Sequence, residues 1–98
     1  MYYMDHLLIL LTAENARELQ FRAGSPPIIL SEGENHLLQG PSVTDEDMML
    51  LLRSMANSRQ MRELRMNGAV QFIYTPRGRS PFLVRANMED ENVEFDVS

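Results

Sequence analysis

The 98-residue chain contains no cysteine and no lysine. Without cysteine, disulfide stapling, thiol catalysis and the common structural zinc sites are excluded. Without lysine there is no P-loop, because G-x-x-x-x-G-K-[ST] uses that lysine to neutralise the β and γ phosphates. The five glycines do not take its spacing either. Histidine is scarce: His6 and His36 fall in separate segments, and a transition-metal site would need carboxylates to complete it. No Gly-x-Ser-x-Gly elbow accompanies the serines. The acidic pair Glu46 and Asp47 reads as the start of a helix, not as general acid and base. These absences predict no enzymatic activity, no cofactor and no metal.

Long apolar runs are missing as well, and nothing approaches the ~20 residues needed to span a bilayer. Leu7–Leu11 is too short for a signal peptide, is preceded by Asp5 and His6, and lacks a basic leader. The expectation is a cytoplasmic protein with no membrane insertion.

What is present is ordinary globular material, 44% hydrophobic and 23% charged, which argues against disorder. The length suits a single domain over residues 1–98 with an adequate core. All nine cations are arginines. The stretch Glu89–Ser98 holds five acids and no base, and the other nine acids balance the arginines, so the net charge of −5 belongs to that end. Nucleic acid demands clustered positive charge, so it is not an expected partner.

Hydrophobic spacing gives the elements. Tyr2–Asn15 is predicted as a helix with Tyr3, Met4, Leu7, Leu8 and Leu11 on its buried face, leaving Tyr2 and Ile9 opposite. Glu18–Arg22 alternates, with Leu19, Phe21 and Ala23 inward, and predicts a strand. Consecutive prolines then stiffen a corner at Ala23-Gly24-Ser25-Pro26-Pro27. Ile28–Leu30 and Glu34–Leu38 predict two more strands joined by a turn at Ser31-Glu32-Gly33-Glu34. Thr44 caps a second helix whose stripe is Met48, Leu51, Leu52 and Met55, with Leu50 outward and Met49 to the side. Ser58 is expected to cap a third helix, Arg59–Met66, which Asn67-Gly68 ends. Alternation at Val70/Phe72/Tyr74, Phe82/Val84/Ala86/Met88 and Val93/Phe95/Val97 predicts three closing strands. The order α-β-β-β-α-α-β-β-β specifies an α+β domain, a mainly antiparallel sheet with helices packed to one side.

The segments Ala16-Arg17-Glu18-Leu19-Gln20-Phe21, Ala23-Gly24-Ser25-Pro26-Pro27 and Glu32-Gly33 carry a resemblance. They are similar to the A-S-D-L-H-L and A-G-x-P-P-x-x-R-x-D-G motifs in the N-terminal domain of the hexameric type IV pilus retraction ATPases and their type II secretion relatives. The resemblance runs over nearly the whole chain, and the Ala-Gly-x-Pro-Pro corner is its distinctive part. It implies a PAS-like sheet flanked by helices. It also implies a bacterial, cytoplasmic assembly role of the kind that serves twitching motility, in which such domains pack against neighbouring subunits. The motor is absent with its lysine. The chain departs from the motifs at Leu30, at Ala69 and near Glu94 or Asp96.

Two functions remain open. One is a non-catalytic protein-interaction module, pairing with itself as a homo-oligomer or with a pilus or secretion ATPase. The interface candidates are Tyr2, Ile9, Ser25, Pro26, Pro27, Met49, Leu50, Arg59, Arg62 and Arg65. For the arginines the alternative is a solvated helix face partly neutralised by Glu63; for the methionines it is core filling. The other function is a PAS-like small-molecule sensor whose cavity is lined by Phe21, Phe72, Tyr74 and Phe82.

Overall fold

A computed structural model describes residues 2–98. The elements are α1 (Met4–Ala13), β1 (Glu18–Phe21), β2 (Ile28–Ser31), β3 (Glu34–Leu37), α2 (Asp45–Arg53), α3 (Ser58–Asn67), β4 (Ala69–Tyr74), β5 (Phe82–Glu89) and β6 (Asn92–Val97). Their order is the one the periodicities specify. The strands form one antiparallel sheet in the order β3-β2-β1-β6-β5-β4. Each half of the chain supplies a three-stranded meander, and pairing of β1 with β6 joins them, with Leu19 opposite Val97 and Phe21 opposite Phe95. The acidic C-terminal strand therefore lies inside the sheet.

Alternate residues of every central strand face one way. Leu19, Phe21, Ile29, Val70, Phe72, Val84, Ala86, Val93, Phe95 and Val97 are all buried there, under the apolar stripes of the three helices. The Phe21 and Phe95 rings stack across the β1–β6 seam, 4.5 Å between centroids and 15° between planes. Met4, Leu7, Leu8 and Leu11 bring α1 into this core, and Met48, Leu51, Leu52 and Met55 bring α2. Withdrawing a leucine such as Leu8 or Leu52 from water contributes about 2–3 kcal/mol.

Three boundaries differ from the sequence expectation. Helix α1 starts at Met4, and Tyr3 is its extended N-cap at φ −118°, so the Tyr3 ring stays 60% exposed instead of joining the buried face. Ala23 is exposed because β1 stops at Phe21 and the chain turns before the alternation can continue. Asn57, not Ser58, caps α3: its side chain accepts the Gln60 N–H at 2.8 Å, and the Gln60 side chain accepts the Asn57 N–H at 2.9 Å.

The same reciprocal box opens α2. The Asp47 N–H donates to Thr44 Oγ1 at 3.0 Å and the Thr44 N–H donates to Asp47 Oδ2 at 3.1 Å. That donated backbone N–H, and after it the Thr44 side chain, holds the Asp47 carboxyl below its usual value. A depressed carboxylate pKa contributes stability that is complete above the unfolded value and is lost as pH falls through the folded one. Thermal melts should therefore show Asp47→Asn less stable than the parent at neutral pH. The gap should close below about pH 4; a gap independent of pH would assign it to something other than the carboxylate.

The proline corner acts as a clamp. The Gly24 N–H donates to the Val43 carbonyl at 2.8 Å, and the Val43 N–H donates to the Ser25 carbonyl at 2.9 Å. Gly24 takes φ +88°, which other residues resist. Pro27 is fully buried and its carbonyl accepts the Leu38 N–H at 2.9 Å. The side chain of Val43 is wholly enclosed, so the irregular segment leading to α2 is pegged to the corner.

The β5–β6 hairpin closes in two residues, since Glu89 pairs with Asn92. Asp90 and Glu91 sit at φ 49° and 70°, the left-handed pair that defines a type I′ turn and favours Asn-Gly. Glu91→Gly should relieve this strain and raise stability by about 1 kcal/mol, or about 5 °C in the melting temperature. An unchanged or lower midpoint would refute the strain.

Candidate interaction surfaces

The start of α1 and the end of α2 meet in a shallow groove lined by Tyr2, Tyr3, Met4, Leu50, Leu51 and Ser54. Met4 and Leu51 are buried and form its floor; Tyr3 and Leu50, which is 46% exposed, form its walls. The sequence places Leu50 outward because it is one residue, about 100°, from the buried Leu51 on the helix. The Tyr2 hydroxyl donates to the Pro41 carbonyl at 2.7 Å, fixing the segment before α1 against the loop before α2. Burial pushes the Tyr2 phenol up, so it remains a neutral donor. A Cβ at Gly40, φ +150°, would come within 2.5 Å of that hydroxyl. Next to the groove, Asp5, Ser54 and Tyr74 line an adjoining depression with Tyr3 and Met4. Burial first, and then the Asp5 carboxylate, pushes the Tyr74 phenol up.

A second groove is basic. Arg53, Ala56, Asn57, Ser58, Met61, Arg62 and Arg65 line it where α2 hands over to α3. Among the described residues the ion pairs are Arg22 with Glu94 and Asp96, at 3.5 and 3.0 Å, and Arg85 with Glu18, at 3.4 Å. Glu63 makes no ion pair with the helical arginines within 4.0 Å. Glu94 and Asp96, one of which stands at a departure from the motifs, are taken up by Arg22 on the open face of the sheet.

The structure divides the sequence candidates. Tyr2 and Leu50 come together in the apolar groove, and Arg62 and Arg65 join Arg53 in the basic one. Arg59 is exposed outside that lining, Ile9 is exposed elsewhere on α1, and Met49 is half-buried at the edge of the core. Ser25 and Pro26 are half-buried, with the Ser25 hydroxyl donating to the Pro26 carbonyl at 2.8 Å. Pro27 offers no surface, because its side chain is buried in the clamp. Tyr3 was missed through its assignment to the helical stripe. Ile73, 61% exposed on edge strand β4, was missed although its phase between Phe72 and Tyr74 marks it as outward.

Of the rings assigned to a sensor cavity, Phe21, Phe72 and Phe82 are buried in the one core cluster and Tyr74, opposite Phe82 across β4 and β5, packs against it. Phe21 is stacked on Phe95 in the core, Tyr74 reaches the depression beside Tyr3, and Phe82 reaches another beside Thr12. Among the described residues no group of three or more His, Cys, Asp or Glu could hold a metal ion. No helix among them is long and apolar enough to cross a membrane.

No family model matches the sequence, and no curated protein matches it. Solved structures do match. The pilus retraction motor PilT, solved with bound ADP, superposes with a TM-score of 0.88 at 22% identity over 99% of this chain. The Legionella pneumophila ATPase DotB superposes with a TM-score of 0.79 at 16% identity, and the Yersinia pseudotuberculosis ATPase DotB with 0.63 at 17%, each over 96% of this chain. The chain spans under a third of those proteins, 29%, 27% and 28% of their respective lengths. The fold is therefore shared with part of these ATPases, in agreement with the resemblance carried by the proline corner.

Proposed function

We propose that this chain is a non-catalytic assembly module of the cytoplasmic side of a pilus or secretion machine, working by docking onto another protein. The observation that carries the reading is the groove in which Tyr3 and Leu50 stand exposed over buried Met4 and Leu51. Tyrosine and leucine side chains over a floor already held by the core give an apolar patch of the composition that docks onto a partner. The match to under a third of each ATPase, and the missing P-loop lysine, support a role in contact rather than in hydrolysis. The partner fitting this reading is a pilus-retraction or secretion ATPase.

Light scattering of the purified chain, alone and mixed with such an ATPase, tests the proposal. A complex is expected, and Leu50→Asp should weaken it at least ~30-fold, as for a central apolar contact, while leaving the fold intact. Failure to bind, or turnover of nucleotide by the 98-residue chain itself, would overturn it.

A further inference from the structure

Among the described residues, two patches of opposite charge are left without ion pairs. One is the basic groove, where Arg53, Arg62 and Arg65 have no carboxylate partner. The other is the tip of the β5–β6 hairpin, where Glu89, Asp90 and Glu91 are exposed and equally unpaired. Elsewhere Glu94, Asp96 and Glu18 are engaged by Arg22 and Arg85, and the acids at the start of α2 by its positive end, while Arg77 and Arg79 on the turn before β5 are exposed and carry no ion pair either. The tip's hairpin is tied to the C-terminal end of the helix that contributes to the groove. The Met88 N–H donates to the Gly68 carbonyl at 2.9 Å, and Gly68 is the C-cap of α3, the helix carrying Arg62 and Arg65. Even so, no tip carboxylate comes within 4.0 Å of either arginine in the same chain.

We propose that the basic groove receives the acidic Glu89–Glu91 tip of a second copy of this chain. Because every copy carries both patches, a two-fold axis would let each copy give its tip and accept its partner's in one closed contact. The tight turn fixes the carboxylates in place, and arginine forks are suited to holding them. This deepens the docking reading by naming one partner, and it uses residues separate from the Tyr3–Leu50 groove.

Sedimentation equilibrium tests it. The chain should dimerise reversibly at low salt, with the dissociation constant rising at least ~10-fold between 0.05 and 0.5 M salt. Arg62→Glu with Arg65→Glu, and separately Glu89→Arg with Glu91→Arg, should each be monomeric, and mixing the two variants should restore the dimer. Circular dichroism confirms that each is folded, since the first loses favourable charge at the end of α3. A monomer at every salt, or folded reversed variants that do not recover on mixing, would overturn the proposal. So would a dimer abolished only by Leu50→Asp, or a groove that binds a labelled oligonucleotide in place of the tip. Failure of ATPase docking would leave this result unaffected.

Discussion

Phe95→Ala should cost about 4 kcal/mol of folding stability. Phe95 is fully buried on β6 and stacked on Phe21, where the two halves of the sheet meet. Truncation removes the apolar transfer of a whole ring and leaves a cavity that the flanking strands, hydrogen-bonded on both sides, are unable to close. A domain of this size holds about 5–15 kcal/mol in total, so the variant should melt about 20 °C lower and approach unfolding near body temperature. Phe95→Leu keeps much of the volume and should lose less than half as much. Thermal melts by circular dichroism decide the matter: a loss under about 1 kcal/mol for the alanine would mean that the stacked seam does not join the sheet.

Val43→Asp is expected to cost a comparable amount, about 3–5 kcal/mol, for a different reason. Val43 is enclosed by the proline corner and its own backbone groups already bond to Gly24 and Ser25. A carboxylate there would be charged without a partner, or would have to take up a proton. Burial raises its pKa, so the penalty should shrink as pH falls and the group is neutralised. Urea titrations at neutral pH and near pH 4 read both effects. Ser25→Ala in the same corner removes only a local hydroxyl contact with Pro26 and should stay within about 0.5 kcal/mol. Equal midpoints for the two variants would refute the clamp. If the clamp holds, the distinctive Ala-Gly-Ser-Pro-Pro corner is a structural device, and the docking surface proposed above draws on Tyr3 and Leu50 instead.

Much of this architecture was legible in the chain. Period-2 alternation marked the sheet's buried face at Leu19, Phe21, Val84 and Phe95, and the 3.6 period marked Leu7, Leu8, Leu51 and Leu52. Thr44 with Asp47 announced the capping box that opens α2. Those signals are local: neighbours in sequence share one backbone geometry, so solvent exposure writes its period directly into the residues. Where two local rules competed the reading slipped, as at Asn57 against Ser58 and at Tyr3, one residue ahead of the helix it was assigned to.

By itself the sequence determined the element order, the core-facing residues of four of the six strands, the absence of a P-loop lysine and the concentration of acid at the C-terminal end. Only the tertiary structure decided that β6 pairs with β1 and carries that acid into the sheet, that Val43 is core, that Pro27 is hidden, and that Tyr2 meets Leu50. Each of these joins residues from separate segments of the chain, and no periodic pattern specifies which distant surfaces meet. That choice belongs to the packing of the whole chain, where burial is shared among elements that have no local knowledge of one another.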